Sequence, residues 1–522
     1  MTLALPIKNR PDLITELALS ALIVLIFSVF QGNIGFNLWD EGFLWYGAQR
    51  TMLGEVPLRD FMAYDPGRYY WSAAVMSAAG NSGIMALRIS IDFFQVLGTF
   101  AGLALISRTA TSCDKRSLSF LLLCGLVFTA WMFPRHKIFD LSLSIFLTGA
   151  LSLLIENPTG RRYLLAGFVT GLAAFFGRNH GVYGAFASLG VMLWLRIRPA
   201  GSSGFLRGGL LWLAGVTGGF APTLLMMAFT PGFSSAFWES IRLLFEVKTT
   251  NIPLPVPWPW NTDYSSLSFI EAGRQFLIGL LFVCIPIAGS ASIVWAFVQK
   301  LRGKTLPAPY IAASFLALPY AHYAYSRADV SHLAQGLFPF LIGYLTIASA
   351  QSKRLKWGMG LTLATASLWV MSGFQPMGQC TKAGQCAEVE ISGSTLAVDI
   401  NTANDIRLLR DVTKKYAPDG QNVLVVPFWP GAYPLLDRKS PMWTIYALWP
   451  RTIDFQQQEI EKIKESAPKV AFIFNLALDG KEELRFKNTY PLIEQYIRKN
   501  FDPVGDSPIS AYEIYKAKEP KP

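Results

Sequence analysis

The segment that decides the fold begins as Asn37-Leu-Trp-Asp-Glu-Gly-Phe-Leu-Trp-Tyr46 and ends as Asp65-Pro-Gly-Arg-Tyr-Tyr-Trp71. It lies between the first two long apolar runs of the chain and is rich in aromatic residues. Its acidic residues are Asp40, Glu41, Glu55, Asp60 and Asp65. Adjacent carboxylates that directly follow an apolar span are costly unless they have a task. Asp40 and Glu41 are therefore the first candidates for chemistry.

The apolar runs on both sides of this segment indicate an α-helical polytopic membrane protein. The chain has 522 residues, of which 52% are hydrophobic. Many of its apolar runs approach the roughly 20 residues that cross a bilayer. The first run is long for a signal peptide and lacks a small-residue cleavage site, so we expect an uncleaved first span. We predict eleven spans, at 13–36, 84–107, 117–134, 139–155, 163–177, 181–195, 209–229, 273–298, 306–322, 332–350 and 357–374.

The net charge of +11 indicates membrane orientation and not a nucleic-acid-binding surface. Residues 375–522 hold 19 basic and 19 acidic residues, so the excess lies within residues 1–374. Most of the basic residues of this part lie in every second connection between spans, and the positive-inside rule assigns such connections to the cytoplasm. We therefore predict a bacterial inner-membrane protein with a cytoplasmic N-terminus and a periplasmic C-terminal domain. The basic residues are Lys8, Arg10, Arg108, Lys115, Arg116, Arg161, Arg162, Arg196, Arg198, Arg207, Lys300, Arg302, Lys304, Lys353, Arg354 and Lys356.

Residues 375–522 are predicted to form an α/β domain that follows a transmembrane domain at residues 1–374. Helical spacing and short apolar runs indicate two helices and three strands in it. Cys380 and Cys386 favour a disulfide in an oxidising compartment, and a zinc pair is less favoured because no further ligand accompanies them. The predicted helices are 401–416 and 455–465, and the predicted strands are 422–427, 470–474 and 512–515.

The connections predicted on the outer face contain many cationic side chains, and all four histidines lie there or at its edge. A carboxylate partly shielded from water can take a proton from an acceptor hydroxyl while the hydroxyl oxygen attacks a sugar carbon. A lipid phosphate would be a suitable leaving group, and its charge requires cations and hydrogen-bond donors. The candidates for binding it are Arg68, Arg135, His136, Lys137, Arg178, Asn179, His180, Arg327 and His332.

The acidic segment also has a structural interpretation. Residues 41–53 and 66–79 have the spacing of two helices that lie in the membrane interface, within an external loop at 37–83. Asp40 and Asp65 would then cap these helices. Catalysis and capping both stay open for these two carboxylates.

The other candidates have similar alternatives. An arginine that pairs with a nearby aspartate serves packing alone, and a single histidine at a membrane edge can be an interfacial packing residue. The pairs expected on this interpretation are Arg327 with Asp329 and Arg88 with Asp92.

The loop at 230–272 contains Pro253-Leu-Pro-Val-Pro-Trp-Pro-Trp260. The prolines exclude a regular helix there, and Trp258 and Trp260 suit a membrane interface. This stretch is either a mobile lid over a substrate cavity or a rigid surface connection.

The acidic segment resembles the first external loop of the GT-C type membrane glycosyltransferases, which have many spans and use polyprenyl-phosphate-linked sugars. In the branch that transfers aminoarabinose to lipid A, this loop starts with a Pro-Asp-Glu-Ala-Arg-Tyr type motif and ends with a Lys-Pro-Pro-Leu-Tyr-Tyr-Trp type motif. Asp40-Glu41-Gly-Phe-Leu-Trp-Tyr46 is similar to the start, and Asp65-Pro-Gly-Arg-Tyr-Tyr-Trp71 is similar to the end. The resemblance implies that Asp40 is the catalytic carboxylate and that Glu41 is its neighbour.

The chain departs from this pattern at one important place. Asp65 occupies the position of the lysine, and Gly67-Arg68 replaces Pro-Leu. The phosphate-binding role of that lysine cannot be transferred. Either Arg68 takes it over, or Asp65 is a second acid or helps Asp40 hold a divalent metal such as Mg or Mn, which some members of the wider class need.

These observations lead us to expect an inner-membrane glycosyltransferase that uses a polyprenyl-phosphate sugar. Its acceptor would be an envelope glycan, a lipid or a protein, and membrane lipids would surround it. The alternatives are a transporter or flippase of a lipid-linked saccharide, an oligosaccharide ligase or polymerase with a diphosphate-linked donor, and a sensor. A transporter is less favoured because the span pattern shows no internal repeat, and a sensor leaves the acidic segment without explanation.

Overall fold

The computed structural model describes residues 12–109, 117–198, 204–248, 250–381, 384–505 and 507–518. The basic residues Lys8, Arg10, Lys115 and Arg116 lie outside these ranges. The chain divides into two compact units. The helical unit comprises Met1–Gln31, Ile91–Pro231 and Lys248–Gly378, and the α/β unit comprises Gly32–Ser90, Gly232–Val247 and Gln379–Pro522.

The described residues are mostly helical. The helices are α1 (Leu13–Gln31), α2 (Asp40–Met52), α3 (Gly67–Ala78), α4 (Ile84–Ser107), α5 (Leu118–Trp131), α6 (Ile138–Glu156), α7 (Gly160–Phe176), α8 (Arg178–Ile197), α9 (Phe205–Phe229), α10 (Phe233–Val247), α11 (Phe269–Leu301), α12 (Ala308–Ser326), α13 (Val330–Ser349), α14 (Lys353–Met371), α15 (Ile400–Tyr416), α16 (Ala432–Leu435), α17 (Ile453–Ser466), α18 (Phe486–Thr489) and α19 (Pro491–Asn500). The strands are β1 (Cys386–Ile391), β2 (Ser394–Asp399), β3 (Val423–Val426), β4 (Val470–Phe474), β5 (Phe501–Pro503) and β6 (Tyr512–Ala517). Single 3-10 turns lie at Arg135–Lys137, Pro376–Gly378, Leu478–Gly480 and Glu482–Leu484.

Every predicted membrane span coincides with one helix, which confirms the polytopic fold. Among the described residues, six of the helical stretches are long and apolar enough to cross a membrane, and the other helices at predicted spans are shorter or more polar. Helix α9 illustrates why these helices are assigned as membrane spans. Its outer residues Leu206 and Phe229 are 76% and 78% exposed in the isolated chain, as expected for side chains that face lipid.

Helices α7 and α9 pack at backbone distance. A Cβ on Gly171 would lie 2.1 Å from the carbonyl oxygen of Val216, and one on Gly219 would lie 2.0 Å from that of Phe168. Without a strong hydrophobic force between helices in lipid, close backbone packing of this kind holds spans together. These glycines therefore fix the α7–α9 pair.

The C-terminal part of the α/β unit contains a four-stranded sheet in the order β3-β4-β6-β5. β3 and β4 are parallel and are joined through a crossover that contains α17, while β6 is antiparallel to both β4 and β5. All residues of β3 are buried, which agrees with the continuous apolar run expected for a strand covered on both faces. The predicted helices and strands of this part are all present, β4 with the predicted bounds.

Some elements were not predicted from the sequence. The β1–β2 hairpin and α19 were missed, and α10 forms inside the loop at 230–272, before the proline-rich stretch that begins at Pro253. Helices α2 and α3 occupy the two predicted places in the external loop. Cys380 and Cys386, which flank the start of the hairpin, form a disulfide with 5.4 Å between their Cα atoms.

Candidate functional site

Asp40 lies in the first turn of α2, where the capping side chain is that of Asn37. The Asn37 side-chain oxygen accepts hydrogen bonds from the backbone N–H of Trp39 at 3.0 Å and of Asp40 at 2.7 Å. The capping role considered for Asp40 is thus filled by Asn37. Asp40 is half-buried, and its carboxylate lies at the end of α2 that carries partial positive charge.

The Asp40 carboxylate contacts a phenol from the C-terminal part of the α/β unit. Tyr446 Oη donates a hydrogen bond to Asp40 Oδ1 at 3.4 Å. The Tyr446 ring packs with its centroid 5.8 Å from that of Phe43 and 6.2 Å from that of Phe428. A phenol packed between aromatic rings makes its polar contacts through its hydroxyl. Tyr446 is therefore placed to orient Asp40.

The turn after β3 approaches the start of α2 so closely that only glycine fits there. A Cβ on Gly42 would lie 2.5 Å from Gly431 Cα, and the N–H of Gly431 donates to the carbonyl oxygen of Leu38 at 2.8 Å. The Trp39 and Trp429 rings stack with 5.5 Å between centroids and 5° between planes. The first turn of α2 is consequently fixed by a segment almost 400 residues later in the chain.

Glu41 is bound to an arginine at the start of α4. Arg88 Nε lies 2.7 Å from Glu41 Oε1, and Arg88 Nη2 lies 2.9 Å from Glu41 Oε2. The same guanidinium donates to the carbonyl oxygens of Gly32 at 2.6 Å and Gly35 at 2.7 Å. Both charged side chains are buried. A bidentate pair with these additional hydrogen bonds gives a fixed geometry to the residue next to Asp40.

The prediction of an ion pair between Arg88 and Asp92 is wrong. Arg88 pairs with Glu41, and the hydroxyl of Ser28 donates to Asp92 at 2.6 Å. A spacing of four residues reports only neighbours on the same helix. The spacing within α4 gives no information on Glu41, which lies 47 residues earlier in the chain.

Aromatic contacts join the end of the acidic segment to its beginning. The Phe43 and Tyr64 rings pack edge to face with centroids 4.9 Å apart, and Arg68 Cζ lies 4.8 Å from the Tyr64 centroid. Asp65 and Arg68 are both buried. Pro66, and not Asp65, occupies the N-cap position of α3. Asp65 and Arg68 thus belong to the same packed cluster as the first turns of α2.

The two other acidic residues of the segment form ion pairs. Glu55 Oε1 lies 2.5 Å from Arg50 Nη2 and 2.6 Å from Lys439 Nζ, and Asp60 Oδ2 lies 2.8 Å from Arg59 Nη2. Burial raises the pKa of Glu55, but the hydrogen bonds from Arg50 and Lys439 outweigh it, so that the pKa lies below its ordinary value. The hydrogen bond from Arg59 lowers the pKa of Asp60. These carboxylates stay ionised and hold the loop together.

Within the helical unit, His180 lies in a buried triad with Asp140 and Tyr320. His180 Nε2 lies 2.8 Å from Asp140 Oδ1, and His180 Nδ1 lies 2.7 Å from Tyr320 Oη. Tyr323 Oη lies 3.3 Å from Nε2. His180 has no exposed surface. Direct contact of His180 with a donor phosphate stays a prediction, and it requires the ring to leave at least one of these partners.

Arg327 and His332 meet at Asp329. Arg327 Nε lies 2.9 Å from Asp329 Oδ2, and His332 Nδ1 lies 2.8 Å from Asp329 Oδ1. The expected local pair of Arg327 is therefore present. His332 Nε2 also contacts the Asn251 side chain at 2.7 Å, and Arg327 donates to the Ile252 carbonyl at 3.2 Å. Burial raises the pKa of Asp329, but the hydrogen bond and charge of His332, with the charge of Arg327, bring it below its ordinary value.

The remaining basic candidates of the helical unit lie where helices begin. Arg135, His136 and Lys137 form a 3-10 turn directly before α6, in which His136 is buried and Arg135 donates to the carbonyl oxygen of Gln31. Arg178 is the first residue of α8 and is half-buried. Basic groups beside the N-terminal ends of two helices are well placed for an anion.

Trp258 and Trp260 stack on each other, with 5.4 Å between centroids and 4° between planes. Trp258 also lies 6.2 Å from the Tyr325 ring. A Cβ on Gly279 would lie 2.5 Å from the carbonyl oxygen of Pro257, so the proline-rich stretch lies directly against α11. Trp260 is 70% exposed. The role of these tryptophans as a substrate loop stays a prediction.

A metal held by Asp40 and Asp65 would need further ligands. No group of three or more His, Cys, Asp or Glu side chains with metal-binding geometry occurs among the described residues. Among the described residues no metal site is therefore assigned, and no step of the chemistry below depends on a metal.

The predicted site residues fall into two sets. The acidic residues and Arg68 belong to the α/β unit, and the other eight candidate phosphate-binding residues belong to the helical unit. Sequence reasoning missed Tyr446, Trp429, Asp140 and Tyr320, and it assigned Arg88 to the wrong partner. One signal was available for Trp429. Pro427-Phe-Trp-Pro-Gly431 directly follows the buried strand β3, and ligand sites of α/β folds lie at the carboxyl ends of such strands.

No protein-family model matches the chain, and no curated protein sequence matches it. Solved structures do. ArnT from Cupriavidus metallidurans bound to undecaprenyl phosphate is 12% identical, with a TM-score of 0.52, and the match covers 96% of this chain and 97% of ArnT. The apo form of the same protein gives 13% identity and a TM-score of 0.52, over 95% and 97% of the two chains.

The apo oligosaccharyltransferase of Archaeoglobus fulgidus is also similar, at 12% identity and a TM-score of 0.49 over 94% of this chain and 73% of that one. We base the fold assignment on the two ArnT structures, which this chain matches over nearly their whole length. The chain therefore has the membrane fold of these ArnT structures, in agreement with the resemblance of its first external loop.

Proposed function

We propose that the protein is a membrane glycosyltransferase that moves one sugar from a polyprenyl-phosphate donor to a hydroxyl group of an acceptor. The observation that carries this proposal is the environment of Asp40. Its carboxylate is half-buried at the start of α2 and contacts the Tyr446 phenol. The backbone next to Asp40 is held by hydrogen bonds with the Asn37 side chain and the Gly431 N–H. A carboxylate held in a defined place next to a buried ion pair suits a general base.

In the proposed reaction Asp40 takes the proton of the acceptor hydroxyl as the hydroxyl oxygen attacks the anomeric carbon. A carbon–oxygen bond to the acceptor forms, the carbon–oxygen bond to the donor phosphate breaks, and polyprenyl phosphate leaves with the electron pair. The growing charge on that phosphate needs hydrogen-bond donors and cations. Arg68 and the basic residues of the helical unit are the proposed donors, namely Arg135, His136, Lys137, Arg178, His180, Arg327 and His332.

The fold comparison supports the proposed class of donor. A protein of the same fold has been solved with undecaprenyl phosphate bound. We extend that ligand class to this chain, together with a periplasmic site and a C-terminal domain that contacts the acceptor. An envelope glycan, a lipid or a protein would be the acceptor.

The test is the release of free polyprenyl phosphate by purified protein in lipid nanodiscs. A synthetic panel of polyprenyl-phosphate sugars would be offered with a crude envelope acceptor, with and without EDTA. We expect release with one monosaccharide donor and its loss in Asp40→Asn. Loss of release in the EDTA arm would indicate a metal held with the help of the substrate.

The rival functions give different outcomes in the same system. Release only from a diphosphate-linked oligosaccharide would indicate a ligase or polymerase. Movement of a fluorescent lipid-linked sugar across the bilayer without release of polyprenyl phosphate would indicate a transporter. Either outcome from protein shown to be folded would contradict the proposal.

A further inference from the structure

The buried triad Asp140, His180 and Tyr320 is the most unusual polar feature within the helical unit. Its members come from three helices, α6, α8 and α12, that coincide with predicted membrane spans. Asp140 is 3% exposed, and the two others have no exposed surface. Ionisable groups inside spans are costly and generally mark a function. Apolar residues would pack three helices at lower cost, so packing alone does not explain the triad.

The hydrogen bonds of the triad fix the orientation of the His180 ring. The Asp140 carboxylate accepts at 2.8 Å, so Nε2 carries the hydrogen, and in the neutral ring Nδ1 accepts from Tyr320 Oη at 2.7 Å. Both distances are short and belong to side chains that are far apart in sequence. The Tyr323 hydroxyl, 3.3 Å from Nε2, adds a further polar contact to the ring. Loss of one of these hydrogen bonds is costly, because buried polar groups need partners.

Two members of the triad lie next to candidate phosphate-binding residues. Asp140 is the third residue of α6, directly after the basic turn Arg135–Lys137. His180 is the third residue of α8, which begins at Arg178. The hydrogen bond between Asp140 and His180 therefore ties the first turns of these two helices to each other.

The third member connects the same network to α12. Tyr320 lies in the part of α12 that leads to Arg327, the residue after the helix. One turn away, the Tyr183 hydroxyl of α8 contacts His322 Nδ1 of α12 at 2.6 Å. One hydrogen-bonded network thus holds together the helix ends beside which Arg135, Arg178 and Arg327 lie.

We infer that the buried triad is a positioning device for the lipid-phosphate site. In this inference, which rests on the proposed function, Asp140 and Tyr320 do not touch the phosphate, and for His180 the positioning role replaces the direct phosphate contact proposed above. They hold the helix ends from which Arg135, Lys137 and Arg178 reach it. Like charges on separate connections repel each other, and a rigid base lets them be presented together to an anion.

The experiment measures equilibrium binding of undecaprenyl phosphate to the full-length protein in nanodiscs. Asp140→Ala and Tyr320→Phe each remove one hydrogen bond of the triad, and we expect each to raise the Kd about tenfold. In turnover, the KM for the donor should rise while kcat at saturating donor changes little. Asp140→Asn keeps the accepting oxygen and should restore most of the affinity.

The matched control is Tyr344→Phe. Tyr344 Oη also donates a hydrogen bond between helices, to the carbonyl oxygen of Met359 at 3.3 Å, but near the opposite end of α13 from Asp329. This variant loses the same atom and should keep the wild-type Kd. Tyr320→Phe is the mildest change in the triad, so it tests the inference even if Asp140→Ala fails to fold.

The outcomes separate this inference from the proposed function. Wild-type protein that binds no undecaprenyl phosphate would contradict the proposed function and the positioning role that depends on it. Wild-type binding with an unchanged Kd in folded Tyr320→Phe and Asp140→Ala would contradict the positioning role alone. A raised Kd in the control as well as in Tyr320→Phe would also contradict it, because the effect would then be one of general helix packing.

Discussion

Glu41 in the α/β unit and Asp140 in the helical unit are both buried carboxylates, but they have partners of different kinds. Glu41 is bound twice by the guanidinium of Arg88, which also donates to two backbone carbonyls. Asp140 accepts a hydrogen bond from the imidazole of His180, whose other nitrogen contacts a phenol. A guanidinium keeps its charge at any working pH, whereas an imidazole can be neutral.

This difference indicates which of the two carboxylates contributes more to the free energy of folding. Removal of one member of a buried pair of full charges leaves the other charge without compensation, so loss of either Glu41 or Arg88 alone should destabilise the α/β unit. The triad around Asp140 can lose the Tyr320 hydroxyl with every charged group left in place. Its variants should therefore fold and report on ligand binding.

The largest expected effect is on stability, from Arg88→Met. This change leaves Glu41 buried without its cation and should lower the free energy of unfolding by about 3–5 kcal/mol. We expect poor accumulation of the variant and a strongly lowered melting temperature. The double variant Arg88→Met with Glu41→Leu removes both charges and should recover most of the stability. A loss below about 1 kcal/mol in the single variant would break the comparison, because the pair would then behave as an exposed one.

A smaller effect, on rate and not on stability, is expected from Tyr446→Phe. The change removes the hydroxyl that contacts Asp40 Oδ1 and should lower kcat about three- to tenfold, the range of one ordinary hydrogen bond. The KM for the donor lipid should stay unchanged. The control is Tyr433→Phe, because the Tyr433 hydroxyl bonds to the backbone N–H and carbonyl of Val425 and so serves the fold. Equal kcat in Tyr446→Phe and wild type would contradict the orienting role.

The smallest expected effect is on stability and concerns Asp405, a carboxyl group of the α/β unit whose ionised form is disfavoured by burial. Burial raises the pKa of Asp405 to about 6. A folded-state pKa above the unfolded value means that the folded state binds the proton more tightly, so stability falls as the pH rises from about 4 to about 6 and stays lower above that. Asp405→Asn should raise the melting temperature at pH 8 and change it little at pH 4. An equal gain at both pH values would show that burial of the charge is not the cause.

The sequence predicted the framework of the molecule well, for physical reasons that are local. Apolar runs of bilayer length located the spans, and the predicted bounds of α4 and of β4 are those observed. The amphipathic helix α10 was missed because the proline-rich stretch from Pro253 excludes a regular helix only locally and does not affect the residues before it. The β1–β2 hairpin was missed although Ala387-Glu-Val-Glu-Ile391 alternates apolar and polar residues directly before the turn at Ser392-Gly393, which is a hairpin signal.

The candidate site was predicted only in part, because its contacts join residues far apart in the chain. The acidic segment identified Asp40, but Tyr446 lies 406 residues later and has no local signature. His180 was singled out as a charged residue near an outer connection, but its partner Asp140 lies inside a predicted span where the pattern alone shows a helix. Packing decides such partners, and one sequence does not report packing.

The central claim is that Asp40 carries the chemistry while Glu41 and its arginine carry the structure. The most direct measurement compares Asp40→Asn with wild type for release of polyprenyl phosphate, together with the Kd for undecaprenyl phosphate and the melting temperature. We predict a rate at least about 100-fold lower, as for the loss of a general base, with Kd and melting temperature unchanged. Release at the wild-type rate from folded Asp40→Asn would contradict the account.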